Sequence, residues 1–248
     1  MKRLMGSLLV VGLLGGCASP YRPVPFDQAT SGISKIQVVE DAIPAKTGVR
    51  KLATNGQNMA AATSGLGLAG LVVGMAAAGI EAGIANNQNG KINTVLESQK
   101  FDGEAIFDEA FEASLKGLNY EVSSFKAERD TSRSLVAVTP QANAPDGSAV
   151  LDVAGVAYGY QQVGGTKWRP YVVILVRMVD SKDPKKILLD NRVEYNAVAP
   201  VPLTVNVPGN PDYAFDKVED IEADPAKATE GLRIALVESA RATAQLLK

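Results

Sequence analysis

Hydrophobic positions change period several times along this chain. Phe107, Ala110, Phe111, Ser114, Leu115 and Leu118 recur at helical spacing behind Phe101-Asp102. That stripe predicts an amphipathic helix with Asp102 as its N-cap and Glu104, Asp108 and Glu109 toward the positive end of its dipole. Gly117 suits the position after the C-cap, and Leu118 is then the hydrophobic residue of a Schellman ending. A second helix is predicted from Asp224-Pro225, an N-cap followed by a first-turn proline, to the C-terminus. Its stripe is Ala228, Leu232, Ala235, Leu236, Ser239, Thr243 and Leu246. Gly231 inside it costs ~1 kcal/mol relative to Ala, which close approach to a sheet would explain. Stripes of this kind are core positions far more often than cofactor sites.

Elsewhere the apolar residues run as strands do. Ile36-Gln37-Val38-Val39 and Ile43 form a short segment that Pro44 ends. Tyr120-Glu121-Val122 follows the first helix, and then come Ser134–Thr139, Ala149–Tyr160, Trp168–Val179 and Lys186–Tyr195. Gly164-Gly165 and Ser181-Lys182-Asp183-Pro184 mark turns between them. The unbroken run Val172-Val173-Ile174-Leu175-Val176 predicts a central strand covered on both faces. The last segment alternates, Leu189, Asn191, Val193 and Tyr195 against Leu188, Asp190, Arg192 and Glu194, as a strand nearer the edge does. The expected fold is α/β (α+β): a mixed or antiparallel sheet of about five strands with two main helices, plus a Gly/Ala-rich helical insertion. It occupies 35–248, with the insertion at 57–90. Residues 196–223 read as a Pro-rich acidic loop.

The insertion has its own pattern. Across 59–85 Glu81 is the only charge, and Gly70, Gly74, Ala78 and Ala82 recur every four residues, with Gly79 and Gly83 beside them. On a helix this makes a smooth face of small residues, suited to close helix contact. Asn86-Asn87-Gln88-Asn89-Gly90 then reads as a polar turn. Packing on its own domain, contact with a second subunit and contact with a membrane all fit. A full crossing does not, because two spans need ~20 residues each plus a turn.

Composition removes whole classes of chemistry. The 248 residues include no His and one Cys, with 25 Lys+Arg against 27 Asp+Glu. Without His there is no Ser-His-Asp or Cys-His pair and no His-ligated metal. One Cys excludes an intramolecular disulfide and a thiolate cluster. A net charge of −2 argues against nucleic acid as partner. Asp212, Asp216, Glu219, Asp220, Glu222 and Asp224 crowd one region without the spacing of a calcium loop. No phosphate-binding or serine-elbow motif occurs, and Tyr158-Gly159-Tyr160 reads as strand packing. No cofactor, metal or catalytic residue is expected.

The amino end reads as an address. Met1-Lys2-Arg3 is basic, Leu4–Leu14 is a short apolar run, and Leu14-Gly15-Gly16-Cys17 follows. This is the layout of a secretory signal, and the tetrad resembles the lipobox of bacterial lipoproteins. The resemblance implies cleavage between Gly16 and Cys17 and acylation of Cys17 by a diacylglyceryl thioether and an N-acyl chain. Residues 1–16 are then a signal peptide and 17–34, rich in Pro, a lipidated tether. Ala18 stands where an aspartate would favour inner-membrane retention. The resemblance therefore implies the outer membrane, with the periplasmic side as the expected face.

A looser resemblance covers about 36–43, 101–195 and the final helix. Gly117-Leu118-Asn119-Tyr120-Glu121-Val122, Asp152-Val153-Ala154-Gly155-Val156, Val179-Asp180 and Lys186-Ile187-Leu188-Leu189 look like parts of the TolB amino-terminal and curli-secretion lipoprotein group. That resemblance implies a structural part of an envelope assembly. The expectation is a non-enzymatic lipoprotein that acts through its sheet edge and Gly/Ala segment. Its partners would be the membrane, envelope proteins or further copies of itself. A binding module for a lipid or other apolar ligand is the second reading, and an enzyme using carboxylates alone the third.

Overall fold

A computed structural model describes residues 22–52, 82–129, 135–163, 165–196 and 205–248. Gly16, Cys17, Gly70, Gly74, Ala78 and Gly79 lie outside the described residues. The fold is of the α/β class, built on a mixed sheet of seven strands rather than about five. The strands are β1 (Lys35–Val39), β2 (Gly48–Leu52), β3 (Glu121–Phe125), β4 (Ser148–Val163), β5 (Arg169–Asp180), β6 (Ile187–Tyr195) and β7 (Val205–Val207). The helices are α1 (Gln28–Ser31), α2 (Ala82–Ser98), α3 (Gly103–Leu115), α4 (Val218–Ala223) and α5 (Pro225–Gln245).

The sheet runs β3-β1-β4-β5-β6-β7, with β2 also on β4. β4-β5-β6 is an antiparallel meander, whereas β1, β2 and β7 pair in parallel with their neighbours and β3 runs parallel to β1. β4 is long enough to hold β1 along Ser148–Leu151 and β2 along Gly159–Val163 on the same edge. Between them the Gly155 amide donates to the Ala42 carbonyl at 2.8 Å, so the ladder continues across the gap. The approach at Gly159 requires glycine, and that at Gly155 is tight. A Cβ on Gly155 would meet Ile43 at 2.7 Å, and one on Gly159, whose φ is +144°, would meet the Gly48 carbonyl oxygen at 1.9 Å.

One face of the sheet packs under α3 and α5. Ile36, Leu151, Ile174, Met178 and Leu189 meet Phe107, Phe111, Leu232 and Leu236 in one continuous core. The Phe107 and Phe111 rings stack at 5.7 Å. The Asp102 carboxylate caps α3 by accepting from the Ala105 amide at 3.0 Å, and Asp224 caps α5 through Lys227 at the same distance. Gly231 faces Tyr160 and Pro170 of the sheet and Tyr213, the close approach expected of it. The ending of α3 differs from expectation. Leu118 is buried as expected, but the residue with left-handed backbone is Asn119 (φ 55°), not Gly117.

The opposite face is covered as well. Phe125, Ala127, Val136 and Val138 pack on Val39, Val150 and Val179, and Leu135 packs beside Tyr171, Val173 and Leu175. The expected strand at 134–139 is therefore a non-strand covering segment over its described residues, 135–139. It is tied down because the Val136 amide donates to the Asp152 carboxylate at 2.6 Å, while Arg129 pairs with the same buried carboxylate at 2.7 Å. The polar side of β6 is buried too, with Asp190 held by Arg177 at 2.6 Å and Glu194 held by Arg192.

Three further expectations change. Residues 86–90 continue α2 instead of turning, because Asn89 and Asn93 have partners across the fold. Their side-chain oxygens accept from the amides of Val49 and Thr47, seating the start of β2. Ala82 and Gly83, from the small-residue series, open this same helix. The segment read as a tether packs from Val24 onward. Val24 bridges Asp190 of β6 through bonds of 2.8 and 3.0 Å, Phe26 lies against the core and Ile33 is buried. Residues 205–223, read as loop, carry β7, a short turn of 3-10 helix and α4. Among the described residues no helix is long and apolar enough to cross a membrane.

Replacement of Gly159 by Ala sets a side chain into the β2 backbone and strains φ. Gly159→Ala is expected to lower stability by ~3 kcal/mol or more. Urea denaturation checks this, and a change within ~0.5 kcal/mol of wild type would show that β2 does not pair as described.

Candidate functional site

The sheet ends in an open strand. Among the described residues β3 pairs with β1 alone, from Lys35 opposite Glu121 to Val39 opposite Phe125. The Glu121 amide donates to the Ser34 carbonyl at 2.9 Å, and the Phe125 carbonyl accepts from the Glu40 amide at 3.0 Å. In a parallel ladder those bonds turn the odd-numbered residues of β3 inward. The amides and carbonyls of Val122 and Ser124 therefore point away from the sheet. Four of the five residues of β3 are exposed, and Val122 keeps 43% of its surface in water.

A groove of about 580 Å³ runs between this strand and α3. Its floor is apolar: Val38, Phe111, Leu115, Tyr120 and Val122. Its upper rim is acidic, with Glu40, Asp108 and Glu112, and Lys116 lies nearer the lower end. The local sequence accounts for this placement. Phe107, Phe111 and Leu115 turn one stripe of α3 into the core, so Asp108 and Glu112, four residues apart, share its outer side. Glu104, one turn before Asp108, accepts from the Ala42 and Ile43 amides and holds the chain after β1 against the helix start. Glu40 accepts from the Ser124 hydroxyl at 2.9 Å.

Asp108 keeps contact with solvent, yet its carboxyl is pushed up to about 7. Partial desolvation is the first cause, followed by the negative charges of Glu104, Glu112, Asp41 and Glu40. Neither Asp108 nor Glu112 enters an ion pair among the described residues. A carboxyl with that affinity exchanges protons near neutrality. Of the neighbouring acids, Glu104 is occupied by backbone donors, Glu40 accepts from the Ser124 hydroxyl, and Glu112 lies one turn along the same helix. Among the described residues the arrangement offers a strand edge with no outer neighbour, an apolar floor and two acids outside any ion pair.

Acids singled out in the 212–224 region have separate partners. Asp216 pairs with Lys167 at 3.2 Å, Glu222 with Lys91 at 3.0 Å, and Asp220 and Asp224 cap helices. Among the described residues no group of acids, or of acids and cysteine, is placed to hold a metal. Tyr158 and Tyr160 are core residues, and the Tyr160 hydroxyl donates to the Ala228 carbonyl at 2.9 Å. Asp108, Glu112 and Glu40 were not legible as a group. The polar composition of Val122-Ser123-Ser124 was the available sign of an edge strand. Comparison with known protein families, characterised proteins and solved structures returns no match.

An acid held above its unfolded value keeps its proton longer in the folded chain. Its contribution to stability is therefore lost as pH rises from the unfolded value near ~4 to about 7, and stays lost above that. Asp108→Asn is expected to melt at the same temperature as wild type near pH 4 and at a higher one at pH 8. Melting curves across that range check it, and a variant less stable at pH 8 would contradict the crowding of charge around Asp108.

Proposed function

We propose that this chain is a non-enzymatic lipoprotein of the bacterial outer membrane, anchored through Cys17 and facing the periplasm, that serves as a structural or assembly component of an envelope complex. The observation that carries the assembly role is the open β3 edge. An exposed strand edge is a template for another strand, and folded proteins normally blunt it. Here, among the described residues, no strand covers the outward amides of Val122 and Ser124, which lie beside exposed apolar surface.

The docking of the amino-terminal segment supports the same reading. Val24 is bound to β6, four places from β3 in the order of the sheet. Six residues lie between Cys17 and Val24, a reach of at most ~25 Å. A lipid on Cys17 would tether the chain from the β6 side of the sheet. Three acyl chains anchor firmly where a single chain is marginal.

Two measurements test the proposal. Cys17→Ser is expected to leave an unacylated precursor, longer by the sixteen leader residues, that partitions away from membranes. A variant of wild-type mass that still pellets with membranes would overturn the anchor. A photo-crosslinking residue at Ser123 is expected to yield discrete protein adducts in intact envelopes, while one at Glu238 on the exposed side of α5 does not. Equal patterns at both positions would overturn the assembly role of the edge.

A further inference from the structure

We propose that β3 accepts an extended strand from a different protein, and that this strand carries an apolar side chain and a Lys or Arg two residues apart on one face. The inference rests on the assembly reading and names the chemistry of its partner.

The geometry of the groove sets the pattern. Val122 and Ser124 stand opposite Ile36 and Val38, whose side chains belong to the helix-covered face, so both point toward α3. A strand added outside β3 places alternate side chains over the same face, ~6.7 Å apart. Near Val122 the floor is Leu115, Phe111 and Tyr120, which an apolar side chain covers. Near Ser124 the wall is Glu40, with Asp108 and Glu112 of α3 beyond it. A cation there meets three carboxylates, two of them without an ion-pair partner among the described residues. The crowding of like charge that raises Asp108 is relieved by that cation. Main-chain bonds to Val122 and Ser124 supply affinity, and the alternating side chains supply selectivity, as in strand addition generally.

Charge also favours a different protein over a second copy. A second copy does not supply the pattern, because the residues its own β3 presents on that face are Val122 and Ser124, neither of them a cation.

The probes are fluorescein-labelled heptapeptides with blocked ends, in the order threonine, valine, threonine, lysine, threonine, valine, threonine, and the same peptide with glutamate at the centre. Binding to the full-length protein in detergent is read by anisotropy. The lysine peptide is expected to bind about tenfold tighter than the glutamate peptide. In the double variant Asp108→Asn with Glu112→Gln the preference falls to within about twofold, and added salt weakens the wild-type complex more than the variant complex. N-methylation of one alternate set of peptide amides abolishes binding, and methylation of the other set does not. Both side chains lie on the outer face of α3, and an unchanged melting profile at pH 4 confirms that the variant folds.

Equal binding of the two peptides, absence of binding, or a preference undiminished in the variant would overturn the proposal. Concentration-dependent dimerisation abolished by Ser123→Lys would overturn it in favour of a second copy. If the peptides fail while protein adducts at Ser123 persist, the partner chemistry falls and the assembly reading stands. If both fail, both fall.

Discussion

Pairing the backbone of β4 is the constraint on which the rest of the architecture depends. Sixteen residues of largely buried strand present amides and carbonyls along two edges, and their buried groups need partners. β5 covers one edge over nearly its whole length. No strand of comparable length serves the other. Two short strands, β1 and β2, share it, with the Ala42 carbonyl filling the gap at Gly155. Gly159 lets the β2 backbone approach where a side chain would collide, and Gly155 leaves room for the Ala42 carbonyl. It also leaves β1, held at one end of β4, to carry β3 as the outermost strand on that side.

The covering of both faces follows from the same strand and from β5. α3 and α5 cover one face through aromatic and aliphatic packing. The other face is closed by a non-repeating segment, which cannot bond to itself as a helix does. Asp152 supplies the missing bond to Val136 and pairs with Arg129, whose guanidinium also donates to the Val153 carbonyl at 3.1 Å. A buried ion pair is weak evidence of net stability. Here it determines where the covering chain lies.

The open groove is a by-product of that geometry. α3 places its apolar stripe over the core and its acids outward, and the sheet extends one strand past the helix. Acidic side chains along a helix face are ordinary when solvated. At the β3 edge they instead line an apolar floor, where desolvation and mutual repulsion act together on Asp108.

The amino-acid sequence by itself determined the elements whose cause is local. The α3 and α5 stripes, both aspartate caps, the doubly buried β5 and the close approach at Gly231 are each properties of a few neighbouring residues. The tertiary structure decided whatever depended on partners distant in the chain. Asn89 and Asn93 look like turn residues until the amides of β2 satisfy them, and Asp190, Arg192 and Glu194 look like a solvated face until cations and a covering layer bury them. The alternation of β6 was readable, but which side met water was not, because periodicity states that two faces differ and not what lies over each. The candidate site was the least legible part. It joins Glu40, Asp108, Glu112 and Ser124 from three elements, and only the order of strands in space makes β3 an edge.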